Sequence, residues 1–191
     1  VLGAGQLGRA VAERLTTQGY VVKLWQRGQP LPGAAVGHHI VINLLPLTEV
    51  TRGVLNATLF AALPQGAALI NLARGAHLVD ADLLTALASG QLSRAVLDVF
   101  HQEPLPADHP FWQHPRITVL PHVAAHIFPA RRGRRLDGAV GGVEHDAAAR
   151  AHTQLAVRLV QAEQHARVAV GVDVVQQTQR QMNERLEQFA Q

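Results

Sequence analysis

Six residues near the start of the chain restrict its fold more than any others. Gly3-Ala4-Gly5-Gln6-Leu7-Gly8 has the spacing G-x-G-x-x-G. A glycine turn of this kind closes a β-strand and opens a helix whose N-terminus can meet a pyrophosphate. Gly3 permits the tight turn, Gly5 lets phosphate approach the backbone, and Gly8 lets helix and strand lie close. Gln6 and Leu7 fall in the same turn, so all five are candidate coenzyme-binding residues. Plain tight turns also show this spacing. Here, however, a helical pattern over 6–19 and an apolar run over 20–25 follow at the distances a β-α-β unit needs. Only Val1 and Leu2 precede the turn. The sequence is therefore expected to begin inside a strand of a longer protein.

The rest of the first two thirds alternates short apolar runs with helical patterns. Strands are expected over 20–25, 39–45, 67–72, 94–99 and 117–120. Helices are expected over 6–19 and 81–89, the latter capped by Asp80, with two short helical pieces capped by Thr48 and Asn56. Residues 28–38 hold two Pro and three Gly and read as loop. Short apolar strands separated by helices call for a parallel sheet. The expected class is α/β, a doubly wound (Rossmann-type), mostly parallel sheet with a helical C-terminal extension. Residues 1–126 form an incomplete dinucleotide-binding domain and 127–191 an atypical tail. In that tail Val175, Thr178, Met182, Leu186 and Phe189 share one helical face.

Composition excludes several classes. Of the 191 residues, 48% are apolar and 16% charged, which supports a buried core. No uninterrupted apolar run reaches the length of a membrane span, and no membrane partner is expected. There is no cysteine, hence no disulfide or thiolate metal site. Net charge is +3, and the basic excess is small on either side of residue 126. The cluster Arg131-Arg132-Gly133-Arg134-Arg135 has no interleaved aromatics, so nucleic-acid binding is not expected. Nor is a metal site. His38 and His39 would point to opposite faces of a strand, and His122 and His126 fall at a strand-to-loop junction.

Parallel open sheets bind ligands beyond the carboxyl ends of their strands. Arg74, Glu103 and His122 fall at three such ends. An arginine fork can hold the carboxylate of a 2-oxo acid. A histidine can protonate the carbonyl oxygen as hydride reaches its carbon, and a glutamate beside it favours the imidazolium. Each also has an ordinary structural reading as a turn, solvated or packing residue. After the second strand, Trp25-Gln26-Arg27 lacks the acid that grips an NAD ribose. Arg27 suits a 2′-phosphate instead, which favours NADP, with NAD as the alternative.

The run from Val1 to about Ala125 resembles the D-isomer-specific 2-hydroxyacid dehydrogenases, most closely their glyoxylate/hydroxypyruvate reductase A group. Ile42-Asn-Leu-Leu-Pro46, Leu69-Ile-Asn-Leu-Ala-Arg-Gly75, Ala95-Val-Leu-Asp-Val-Phe100, Glu103-Pro-Leu-Pro106, Trp112-Gln-His-Pro115 and Pro121-His-Val-Ala-Ala125 carry the likeness, in order. The resemblance implies that Arg74 binds substrate and that Glu103 and His122 form the acid–base pair. It implies that Asp98 contacts the nicotinamide amide and that Leu45 and Pro46 lie on the coenzyme side. Trp112 is a substrate-side candidate, with core packing as its alternative. A small 2-oxo acid substrate, NADPH preference, a cytoplasmic setting and a homodimer are further implications.

Three departures accompany the likeness. The N-terminal portion of the family's substrate domain is absent. The segment between Arg27 and His39 is too short to supply both a strand and a helix, so one sheet strand or its covering helix should be missing or displaced. After Ala125 the likeness fades into the basic, Gln-rich tail, which is either an extension helix or a product of a broken reading frame. The rival function is a non-catalytic nucleotide-binding remnant that binds coenzyme without turnover.

Overall fold

The computed structural model describes residues 1–120 and 153–162. The chain divides into two compact units, Val1–Val157 and Arg158–Gln191. The described elements of the first unit are α1 (Gln6–Thr17), α2 (Leu31–Ala35), β1 (Ile40–Asn43), α3 (Ala57–Ala62), β2 (Ala67–Asn71), α4 (Asp80–Ala88), β3 (Leu92–Leu97) and β4 (Ile117–Val119). Single 3₁₀ turns lie at Gly75–His77 and Pro110–Gln113. Residues 153–162 are helical, with Leu155, Ala156, Val157 and Val160 buried. The arginine cluster at 131–135 and the stripe over 175–189 lie outside the described residues.

The sheet has the order β1-β2-β3-β4, and every pairing is parallel. All five residues of β2 are buried, as the interior of a parallel sheet covered on both faces requires. Leu59, Phe60, Leu69, Leu83, Leu87, Leu92 and Leu97 form the centre of the core. The short helices are fastened by side chains. Asn56 accepts a hydrogen bond from Leu59 N at 3.1 Å and caps α3. Asp82 of α4 accepts one from Ala57 N at 2.8 Å and so ties the two helix starts together.

Four local expectations are corrected. Residues 20–25 are not a buried strand: Trp25 makes one parallel bridge, to Leu2, and Val21 is 92% exposed. Backbone hydrogen bonds from Trp25 N to the Val1 carbonyl at 2.9 Å and from the Val1 amino group to the Lys23 carbonyl at 2.8 Å hold this run to the segment before the glycine turn. Residues 28–38 are not all loop, because α2 forms there. Pro30 is its N-cap and Pro32 lies in its first turn, where a missing N–H leaves no helical bond unmade. The short segment thus supplies a helix and no strand. Thr48 starts a turn rather than a helix, exchanging hydrogen bonds with Thr51. Asp80 is the first residue of α4, not its cap, and Val79 holds the cap position.

Candidate functional site at the strand ends

The glycine turn has the geometry its spacing implies. Gly3 has φ +108, and a Cβ there would lie 2.8 Å from the Leu44 carbonyl oxygen. The turn is therefore pressed against the chain leaving β1. At Gly8 a Cβ would collide with the Gly3 carbonyl, so α1 can sit this close to the turn only without a side chain. Gly5, the N-cap of α1, faces open space. Among the described residues no side chain caps α1, and no acid occupies its first turn, which carries Gln6, Leu7 and Gly8. The partial positive charge of a twelve-residue helix is thus left facing an open approach, which suits an anion. Arg27 is exposed two residues beyond the Trp25–Leu2 bridge.

Beside this turn the carboxyl ends of β1 and β2 are joined by buried polar side chains. Asn43 and Asn71 are register partners, and Asn43, Asn71 and His77 are each fully buried. Leu45 N donates to Asn43 Oδ1 at 3.2 Å, and Ala73 N to Asn71 Oδ1 at 3.3 Å. These backbone donors fix which end of each amide is oxygen. Asn43 Nδ2 then donates to Asn71 Oδ1 at 2.9 Å and faces His77 Nδ1 at 3.0 Å. Asn71 Nδ2 donates to the Arg74 carbonyl at 3.2 Å. Leu45 is buried, whereas Pro46 is exposed and its carbonyl accepts from Thr51 Oγ1 at 2.8 Å. Burial pushes the His77 imidazole below the usual histidine range.

Arg74 lies three residues past β2, exposed, with extended backbone, and its Nη1 donates to the Ala73 carbonyl at 2.6 Å. Gly75 is buried against Phe100: a Cβ on it would collide with the Phe100 carbonyl. The loop after β2 is thereby pressed onto the loop after β3. In that second loop Glu103 Oε1 accepts from Phe100 N at 3.0 Å. The fold thus brings the Arg74 and Glu103 loops together through Gly75 and Phe100. Asp98, just beyond β3, is fully buried, and its N–H donates to the Asn71 carbonyl at 3.0 Å. Trp112 is half exposed rather than packed in the core, with its indole N–H on the Pro106 carbonyl at 2.8 Å. His122 lies outside the described residues.

A second group sits at the start of α4. Asp80 lies 3.6 Å from His101 Nε2 and 3.8 Å from His109 Nε2. His101 Nε2 also faces the Leu78 carbonyl at 2.8 Å. Burial raises the Asp80 carboxyl above the usual aspartate range, and the two histidines oppose that rise. Sequence reasoning gave Asn43, Asn71 and His77 no role. The available signal was a polar Asn ending each of two apolar runs, Ile40-Val-Ile-Asn43 and Leu69-Ile-Asn71.

An uncapped glycine turn beside the first strand pairings, with polar loops at the carboxyl ends of a parallel sheet, defines a Rossmann-type nucleotide-binding domain. The chain belongs to the family described as D-isomer specific 2-hydroxyacid dehydrogenase, NAD binding domain, whose model matches residues 1–124. A glyoxylate/hydroxypyruvate reductase A from Serratia proteamaculans is 53% identical over 142 residues, covering 68% of this chain and 45% of that protein. The chain therefore spans about half the length of the curated relatives it matches. A D-isomer specific 2-hydroxyacid dehydrogenase family protein from Klebsiella pneumoniae 342 superposes with TM-score 0.62 at 47% identity, over 64% of this chain and 43% of that one. The Xanthobacter autotrophicus Py2 dehydrogenase in complex with NADPH and MES gives TM-score 0.61 at 42% identity, over 64% and 56%. Among the described residues no helix is long and apolar enough to cross a membrane.

Proposed function

We propose that this chain carries the coenzyme-binding part of an NADP-dependent reductase of small 2-oxo acids, glyoxylate and hydroxypyruvate in particular. The observation that carries this reading is the open, uncapped N-terminus of α1 behind a turn that tolerates only glycine at positions 3 and 8. Gly3, Gly5, Gln6, Leu7 and Gly8 would hold the pyrophosphate. Arg27 would pair with the 2′-phosphate, since the segment offers a guanidinium and no acid. NAD is the weaker alternative for the same reason. Leu45, Pro46 and Asp98 would lie along the nicotinamide side. The NADPH-bound Xanthobacter relative supports this choice of coenzyme. When bound, the reduced coenzyme supplies the hydride.

The side chains do the rest. Arg74 turns its fork from the Ala73 carbonyl to the substrate carboxylate. His122 gives its proton to the carbonyl oxygen, and Glu103 orients that ring and favours its charged form. Trp112 covers the substrate side. Residues 1–126 constitute the coenzyme domain and 127–191 an extension, in a cytoplasmic homodimer.

The test is NADPH oxidation with glyoxylate or hydroxypyruvate by the wild type, Arg74→Ala and His122→Ala. Loss of at least about a hundredfold in kcat/KM in His122→Ala is expected for removal of a general acid. Equal rates in all three would overturn the site. Coenzyme binding with no turnover in the wild type would favour the non-catalytic remnant.

A further inference from the structure

We propose that His77 is a positioning residue: its neutral, Nε2-protonated imidazole locks the loop after β1 to the loop after β2. What those loops hold rests on the reductase reading above. The lock itself rests on the hydrogen bonds.

Asn43 Nδ2 carries two hydrogens, and both have partners. One goes to Asn71 Oδ1 at 2.9 Å and the other to His77 Nδ1 at 3.0 Å. Because Leu45 N occupies Asn43 Oδ1, the amide cannot be turned over without opposing two donors. His77 Nδ1 must therefore present a lone pair. Its proton sits on Nε2, facing the Pro46 carbonyl at 3.4 Å. One ring thus touches the residue that ends β1 and the loop residue three positions on. Through Asn43 it reaches Asn71, whose amide holds Ala73 N and the Arg74 carbonyl. The coenzyme-side residues Leu45 and Pro46 and the backbone of Arg74 are held by one connected set.

A second proton on the ring would place Nδ1–H against Asn43 N–H in a site from which solvent is excluded. The groups facing His77 are Asn43 from β1, the Pro46 carbonyl, Asn71 from β2 and Arg74. Among these described groups only Arg74 is charged; burial, the largest influence, and the Arg74 guanidinium disfavour the imidazolium, against the Pro46 and Arg74 carbonyls, which favour it. Acid should therefore break the lock rather than tighten it.

The experiment uses the full chain and has two arms. In the first, NADP⁺ affinity is titrated calorimetrically from pH 7.5 to 5.0 for the wild type, His77→Asn and His77→Leu. Asparagine keeps an acceptor for Asn43 and does not titrate. Taking each Kd relative to that of His77→Asn cancels the titration of the ligand. The wild-type ratio should rise as pH falls, by up to about tenfold once the ring is charged, the size of one buried hydrogen bond lost. His77→Leu should bind weakly at every pH. A flat wild-type ratio together with wild-type affinity in His77→Leu would overturn the proposal. The second arm needs no coenzyme. Amide-exchange protection at Leu45 and Ala73 in the wild type is followed over the same range, with Ala95, bonded to Arg116 O, as reference. Protection of the first two should fall selectively, and parallel behaviour of all three would contradict the lock. Absence of NADP⁺ binding with selective loss of protection would sink the coenzyme reading and leave the lock standing.

Discussion

Gly75 lies so close to the Phe100 carbonyl that a methyl group between them has no room. That contact joins the loop carrying Arg74 to the loop in which Glu103 holds Phe100 N. Gly75→Ala must push the loops apart. The expected cost is about 1–3 kcal/mol of stability, as for other overpacked sites. Urea unfolding measures it. An unchanged midpoint would show that the loops separate freely.

The three glycines of the first turn should separate stability from binding. Gly8→Ala meets the Gly3 carbonyl and should destabilise the fold, whereas Gly5→Ala points into open space and should leave the thermal midpoint nearly unchanged. Gly5→Ala should nonetheless weaken NADP⁺ binding at least about tenfold, since backbone approach by phosphate is what its missing side chain permits. Thermal melts paired with calorimetric titration give both quantities. Equal affinity in Gly5→Ala and wild type would remove the turn from the binding site.

Asn43→Leu should be costly despite its similar volume. It strips Leu45 N of its acceptor and His77 Nδ1 of its donor in a fully buried place. Each orphaned group costs about 1–3 kcal/mol. Denaturant unfolding of the variant beside Asn43→Asp would measure this. A neutral Asn43→Leu would mean that the network contributes nothing to stability.

The buried His77 and the partly exposed Asp80 give opposite pH signatures. The folded state lowers the pKa of His77 below its ordinary 6.5, so below that pH the unfolded chain binds more protons. This contribution is present above pH 6.5 and is lost as pH falls through the folded value. The folded state raises Asp80 above its ordinary 3.8. Its contribution is present below pH 3.8 and is lost as pH rises through the folded value. Asp80→Asn should therefore gain on the wild type as pH rises from 4 to 7, while His77→Asn should flatten the loss of stability below pH 6.5. Unfolding midpoints across pH 4–8 check both. A gain for Asp80→Asn only at the acid end would reverse the assignment.

Much of this arrangement was legible in the sequence. The apolar runs over 39–45, 67–72 and 94–99 overlap β1, β2 and β3, because parallel strands are buried on both faces. The glycine spacing gave the turn because only steric exclusion explains Gly3 and Gly8. What escaped depended on partners distant in sequence. Residues 20–25 have strand composition, but Trp25 makes a single bridge to Leu2 and Val21 stays exposed. The prolines that made 28–38 read as loop stand at the one end of a helix that accepts them. His77 was one of eleven histidines, and nothing local says that Asn43 and Asn71 meet in register above it. Of the proposed acid–base pair, Glu103 is placed on its loop, whereas His122 lies beyond the described residues.

The most direct measurement is calorimetric titration of the full chain with NADP⁺ and, separately, NAD⁺, repeated for Arg27→Ala. Saturable binding, tighter for NADP⁺ and with that preference lost in Arg27→Ala, is the predicted result. Absence of saturable binding by either coenzyme would contradict the account.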